Sequence, residues 1–354
     1  MNREFWRGKR VFLTGHTGFK GGWLALWLTD MGAEVHGYAL TPPTEPNFYT
    51  VTNLQNRLTR STIGDIRDAA TLVQAMQAAH PAIILHLAAQ PLVRYSYVAP
   101  VETYAINVMG TVNLLEAVRQ TPGVKAVVNI TTDKCYENHE WVWPYRENEA
   151  MGGFDPYSSS KACSELVTAA YRHSFLEPAG VQLASARAGN VIGGGDWAVD
   201  RLVPDFLRAL DAGQVLTIRS PRATRPWQHV LEPLSGYLML AEKLFTEGQG
   251  FAEAWNFGPE DADARPVQWI VEYLCSQVAD AVWQCDVSPQ PHEANTLKLD
   301  SSKARSLLGW RPRWDLQTAL GLTLAWHQAW KMGSDMAATS MQQIQEYESA
   351  ARQA

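Results

Sequence analysis

The sequence is poor in the features that signal metal, disulfide or membrane chemistry. It carries four cysteines, Cys135, Cys163, Cys275 and Cys285, and none forms a CxxC pair. No histidines gather at metal-ligand spacing, so no metal site is expected. Scattered cysteines of this kind read as free thiols of a reducing compartment, which gives a cytoplasmic expectation. Cys135 and Cys163 have no base beside them in sequence and read as packing residues. No apolar run reaches the ~18 residues of a membrane span. Met1-Asn2-Arg3-Glu4-Phe5-Trp6 lacks the apolar stretch of a signal peptide. Positive charge is short as well. The net charge of -6 gives no general attraction to nucleic acid or an anionic membrane. A phosphorylated ligand would therefore need local arginines. What the chain does have is apolar mass: at 46% hydrophobic and 19% charged residues it can build one large core and a smaller lobe. The 14 tryptophans are assigned to cores and interfaces.

Continuous apolar runs alternate with helical patterns over the first half. Arg10–Thr14, Glu34–Ala39, 82–87 and 126–130 read as strands. The stretches 22–28, 69–79 and 103–119 between them read as helices. Apolar strands alternating with helices indicate a parallel sheet covered on both faces. With right-handed connections the fold class is α/β, a doubly wound Rossmann-type sheet. Beyond residue 187 the rhythm breaks at Gly193-Gly194-Gly195 and many prolines follow. Residues 1–187 are thus expected to form a nucleotide-binding domain. Residues 188–332 are expected to form mainly a smaller mixed α/β substrate lobe, with some segments free to return to the sheet. The polar stretch 333–354 is expected to be a tail or a frayed helix.

Gly15-His16-Thr17-Gly18-Phe19-Lys20-Gly21 follows the first strand and opens a helix. Glycines let the backbone turn tightly and approach phosphate, and the helix start offers free N–H groups. A glycine turn alone is weak evidence; its place after a strand at the head of a helix makes it a nucleotide site. Gly15, Thr17, Gly18, Phe19, Lys20 and Gly21 are the candidate contacts. The second strand ends in Tyr38-Ala39-Leu40-Thr41 without the acid that often holds the adenosine ribose. No arginine stands there for a 2′-phosphate either, so NAD is favoured over NADP. Asp65, after the third strand, either accepts a hydrogen bond from adenine or caps a helix. Ile66, Leu87, Ala88 and Ala89 complete the candidate cofactor wall.

Tyr157 and Lys161 stand four apart behind Asp155-Pro156, on one face of an expected helix. A free phenol, with a pKa near ~10, is a poor base at neutral pH. A neighbouring ammonium and a cationic nicotinamide would favour the phenolate. Tyr157 could then take a hydroxyl proton while hydride leaves the same carbon. Thr132-Asp133-Lys134 ends a central strand, where such folds place chemistry. Thr132 can hold a substrate hydroxyl, and a protonated Asp133 can release a leaving hydroxyl as water. Each string also has an ordinary reading, an amphipathic helix or a capped turn, and each gains weight from the other.

Taken together these strings resemble the extended short-chain dehydrogenase/reductases that act on nucleotide sugars, over residues 8 to 332. Further matching strings are Trp141-Val142-Trp143, Tyr145-Arg146-Glu147-Asn148-Glu149 and Met151-Gly152-Gly153. The run 188–197 and Arg225-Pro226-Trp227-Gln228-His229-Val230 also match. The resemblance implies a cycle on CDP-glucose with NAD. Tyr157 takes the C4 hydroxyl proton as C4 is oxidised. The keto group acidifies the C5 hydrogen, Asp133 protonates the C6 hydroxyl, water leaves, and hydride returns at C6. Relatives have Glu after the acidic Asp as the base at C5; here that residue is Lys134. Lys134 is therefore the base itself, an electrostatic aid, or a bystander to another group. The resemblance also implies that Asn190 and Arg225 contact the diphosphate, and that Arg201 and Leu202 pass along the nucleotide base. Arg94 and Ser96 would line the sugar pocket. His229 is either a ligand contact or a core histidine. A homodimer or homotetramer paired through helices beside the sheet is implied as well. A 4-epimerase on the same scaffold is the nearest alternative, but it needs no acid at C6. A non-catalytic NAD sensor would not need both Tyr157 and Lys161.

Overall fold

The computed structural model describes residues 1–279, 281–286, 288 and 294–350. Its centre is a seven-stranded sheet of β1 (Arg10–Thr14), β2 (Glu34–Ala39), β3 (Arg60–Ile63), β4 (Ile83–His86), β5 (Ala126–Ile130), β6 (Gln182–Ala188) and β7 (Ala254–Phe257). The spatial order is β7-β6-β5-β4-β1-β2-β3, and every pairing is parallel. The apolar runs are continuous because both faces are buried. Val11 and Leu13 enter one core with Ile83, Leu85 and Val128, while Phe12 enters the other with Ile84 and Val127. Order reverses between β1 and β4, whose ends place Thr14 beside His86. There Thr14 Oγ1 lies 2.7 Å from His86 Nδ1 and accepts from the Leu87 and Ala88 amides at 3.1 Å. Ligands in such sheets bind at this crevice.

The second lobe has its own core around Phe206, Trp227, Ile270, Leu274 and Leu320. It is carried by the helices Leu202–Asp211 and Val267–Gln277 and by short strand pairs. Two later segments belong to the main layer: strand β7 and the helix Leu231–Thr246, whose apolar face joins the β1 core.

The expectation of a tail or frayed helix at the end of the chain is corrected. Met336–Ala350 is a full helix with Ile344 and Tyr347 buried in the main core. Its polar residues are anchors. Tyr347 donates to Glu232 at 2.7 Å, and Ser340 accepts from Trp326 Nε1 at 2.9 Å. Composition misses it because its burial rests on few apolar side chains and several satisfied hydrogen bonds. Residues 351–354 lie outside the described residues. Among the described residues no helix is long and apolar enough to cross a membrane.

Candidate active site

One cavity of about 910 Å³ runs along the carboxyl ends of the strands and under the second lobe. The glycine loop forms one end. Gly15 has a φ of +81°, and a Cβ there would meet the Ala88 amide nitrogen at 2.9 Å. A Cβ on Gly21 would stand 2.0 Å from the Gly15 carbonyl oxygen. Gly18 is less crowded, with that oxygen at 3.4 Å, and it caps the helix Phe19–Asp30. One glycine makes the turn, one lets the helix pack against it, and one leaves the backbone open to a ligand. That is the division of roles a pyrophosphate cradle requires. Thr17 lines the loop and donates to the Leu40 carbonyl at 2.8 Å.

The adenosine end of this cradle contains Ala39, Leu40, Thr41, Pro43 and Thr44, with neither acid nor arginine. Asp65 is in the wall and does not cap the next helix. The cap is Asp68, which accepts from the Thr71 amide at 3.1 Å. Asp65 is instead clamped by Arg67, whose Nη2 lies at 2.6 Å, and that contact holds its carboxyl below the usual range. Ile66, Leu87, Ala88 and Ala89 line the same wall.

The catalytic strings meet at the centre. Asp155 caps the helix Pro156–Tyr171 through the Ser158 amide at 2.9 Å, with Pro156 in its first turn. That turn buries Tyr157 and, one turn on, Lys161, whose Nζ reaches the Ile130 carbonyl at 3.4 Å. The expectation that neighbouring cations make the phenol acidic is not met by the chain alone. Burial pushes Tyr157 up to about 12; the neighbouring Thr132 hydroxyl and the charge of Arg201 oppose this, and Asp133 adds to it. Burial lowers Lys161 to about 8, against the pull of Glu165.

Asp133 is 2% exposed. Its Oδ1 accepts from Thr132 Oγ1 at 3.0 Å, and its Oδ2 has no hydrogen-bond partner. Burial raises its pKa and outweighs the opposing charges of Lys134, Arg225 and Lys20. A carboxyl with one oxygen held and one without a partner, its pKa raised by burial, is suited to donate a proton into the cavity. Lys134 lines the cavity beside it.

Lys20 carries a role that sequence reading did not raise. It was grouped with the cofactor loop, yet its charge couples to Asp133, Lys161 and Arg201. Burial lowers it to about 7. No motif marks this; it follows from Lys20 sharing the cavity wall with Asp133, Lys161 and Arg201.

On the substrate side, Asn190, Arg201, Leu202, Arg94 and Arg225 all line the cavity. Arg201 is braced by Asp196 at 2.9 Å, a partner with no sequence signal. Arg225 is 5% exposed; its Nη1 donates to the Thr224 carbonyl at 2.9 Å, and its Nη2 donates to that of Ala294. Arg94 approaches Asp200 at 3.9 Å, and Asp200 also pairs with Arg219 at 2.7 Å.

The expected contact Ser96 falls outside the cavity wall, and so does His229, for which a core position was the alternative. Ser96 is fully buried and donates to the Val93 carbonyl at 2.6 Å, because its turn of the helix Val93–Val98 faces inward. His229 is a core histidine. It packs between Trp23 and Trp314, accepts from the Leu231 amide at 3.3 Å, and burial lowers it to about 3.

Comparison with known proteins agrees with this geometry. The chain is 58% identical to CDP-glucose 4,6-dehydratase of Salmonella typhimurium, over 99% of both chains. It is 25% identical to dTDP-glucose 4,6-dehydratase of Xanthomonas campestris, over 91% of this chain and 94% of that one. The fold matches the crystal structure of dTDP-glucose 4,6-dehydratase from Bacillus anthracis in complex with NAD. The TM-score there is 0.76 at 20% identity, over 93% and 100% of the two chains. UDP-glucose 4-epimerase of Thermotoga maritima gives 0.76 at 22% identity over 91% and 99%. The family model described as GDP-mannose 4,6 dehydratase matches residues 12–322. By this match and the full-length likeness, the chain belongs to the GDP-mannose 4,6 dehydratase family.

Proposed function

We propose that this protein converts CDP-glucose to CDP-4-dehydro-6-deoxyglucose as a hydro-lyase working with NAD. The full-length 58% identity to a CDP-glucose 4,6-dehydratase supports the substrate. The observation that carries the chemistry is Asp133: a buried carboxyl whose pKa burial raises, with one oxygen lacking a hydrogen-bond partner, in the same cavity wall as Tyr157 and Lys161.

The glycine cradle fits a dinucleotide, since its three glycines leave backbone open where phosphate must approach. Gly15 to Gly21 would hold the pyrophosphate, Asp65 and Ile66 the adenine end, and Lys161 with Leu87–Ala89 the nicotinamide end. NAD bound there would supply the acceptor for the C4 hydride and its later donor to C6, and its positive ring would favour the Tyr157 phenolate. Tyr157 orients the C4 hydroxyl and takes its proton, with Thr132 as second contact. Arg225, Asn190 and Arg201 hold the nucleotide diphosphate end, which fixes the sugar against Tyr157. Once C4 is a ketone, the C5 hydrogen is acidic and needs a neutral base. Lys134 is adjacent to the acid; Lys20 is the lysine whose surroundings most favour the free amine. Asp133 Oδ2 then gives its proton to the C6 hydroxyl and water leaves; as hydride returns at C6, the base gives its proton back to C5.

A 4-epimerase would share the scaffold but leave Asp133 without a task. Incubation with CDP-, dTDP-, GDP- and UDP-glucose tests the assignment: CDP-glucose alone loses water by mass. Formation of a C4 epimer without loss of water would overturn it. Lys134→Ala and Lys20→Ala separate the two bases, because only loss of the true base stops exchange of the C5 hydrogen with solvent.

The assembly is a homodimer or homotetramer in the cytoplasm. Val98, Val101 and Leu166 are exposed on helices beside the sheet, the last on the catalytic helix. Light scattering during size-exclusion chromatography gives the size; a monomer would refute it.

A further inference from the structure

The mechanism leaves one buried charged pair without a task. Glu165 lies on the same helix face as Tyr157 and Lys161, one turn beyond the lysine. It is 5% exposed. Its Oε1 accepts from the Thr131 hydroxyl, and its Oε2 accepts from Ser185 Oγ at 2.6 Å and from Arg187 Nη2 at 2.8 Å. Arg187, on β6, donates in turn to the Tyr136 hydroxyl at 2.8 Å and to the Glu147 carbonyl at 3.1 Å. Thr131 immediately precedes Thr132-Asp133-Lys134. One carboxylate therefore ties together the catalytic helix, the turn that carries the acid, and β6.

A buried ion pair is expensive to keep and is poor evidence for stability alone. Here it sits where a charge can act on the reaction. We propose that Glu165, anchored by Arg187, is a positioning residue for the dehydratase: it fixes the Thr131 turn against the catalytic helix and supplies the negative charge that faces the Lys161 ammonium.

Several groups face Lys161. Glu165 and Tyr157 share its helix, Cys135 follows β5, His86 ends β4, and Lys20 comes from the helix Phe19–Asp30. Burial keeps the Cys135 thiol and the Tyr157 phenol protonated and His86 neutral. Burial alone would raise Glu165, but Arg187 and the bonds from Ser185 and Thr131 hold it below the ordinary range. Among these groups Glu165 is the anion at neutral pH. Without it, the ammonium would keep only the Ile130 carbonyl, at 3.4 Å, against burial.

The proposal rests on the dehydratase reading only for its consequence, so the test needs no substrate. Full-length protein is labelled with trace acetic anhydride across a range of pH, and acetylation of Lys161 is read by peptide mass. Glu165→Gln removes the charge. Glu165→Gln with Arg187→Met removes both charges and leaves no unpaired buried cation. Glu165→Asp keeps the charge. The neutralised variants should acetylate Lys161 about tenfold faster at fixed pH, as its titration moves down by about one unit. The Asp variant should label as wild type does. The alkaline limb of CDP-glucose dehydration should move to lower pH in the same variants. Unchanged Lys161 labelling in the neutralised variants, whatever their melting temperature, would overturn the proposal. Absence of wild-type turnover with the labelling shift present would overturn the functional reading and leave this one standing.

Discussion

Replacing Asp133 by Asn separates the acid step from everything before it. The side chain keeps its shape, and Oδ1 can still accept from Thr132 at 3.0 Å. What goes is the ionisable proton whose pKa burial raises. The new amide nitrogen takes the place of Oδ2, which has no partner to lose. Substrate binding and C4 oxidation should therefore persist. Departure of the C6 hydroxyl should slow by about 100- to 10,000-fold, the usual worth of a positioned general acid. On the barrier this is about 2.7–5.4 kcal/mol. Leaving two amide hydrogens unpaired costs about 1–3 kcal/mol of stability. Removing a carboxyl whose charged form is disfavoured offsets part of that, so the fold should survive. The assay mixes enzyme, NAD and CDP-glucose, follows reduced-nicotinamide absorbance, and measures water loss by mass. The variant should accumulate reduced cofactor while product formation collapses. Dehydration within about tenfold of wild type would refute the role of Asp133 as the acid, because that is under 1.4 kcal/mol. Equal loss of both signals would move its role to C4.

Gly21→Ala should abolish the cradle, since its Cβ would stand 2.0 Å from the Gly15 carbonyl oxygen. Calorimetry should show NAD binding weaker by at least about tenfold, or 1.4 kcal/mol, with circular dichroism unchanged. Tyr347→Phe removes the bonds to Glu232 at 2.7 Å and Ser235 at 2.9 Å. The urea midpoint should fall by an amount worth about 1–3 kcal/mol at constant m-value. Burial holds His16, His86 and His229 to about 4, 3 and 3. These lie below the ordinary value near ~6.5, so the unfolded chain takes up protons first and stability is lost as pH falls below about 6.5. Between about pH 7.5 and 5.5 each histidine should cost about 1.4 kcal/mol. His229→Gln should remove that share from the denaturation profile; an unchanged profile would mean that the imidazole is charged in the core.

Much of the molecule is legible in local sequence. The strands β1, β2 and β5 match the expected stretches residue for residue, because a strand buried on both faces carries a run of consecutive apolar positions, as Val11 to Leu13 and Ala126 to Val128 do. The glycine loop and the Tyr157–Lys161 pair are legible because their function requires a fixed short spacing. Where reasoning failed, the missing quantity was direction. Ser96 stands two residues from Arg94, which lines the cavity, yet its side chain turns into the core. The last helix looked like a tail because its anchors are hydrogen bonds to residues far away, as Tyr347 is to Glu232.

By itself the sequence determined the sheet class, the cofactor loop and the acid/base strings, since each depends on residues within a few positions of one another. Only the tertiary structure decided which groups are charged. Lys20, Asp133, Tyr157 and Lys161 owe their protonation first to burial, and Glu165 keeps its charge through Arg187. Desolvation and opposing charge depend on what surrounds a group in space, and the chain brings those neighbours from segments far apart in sequence.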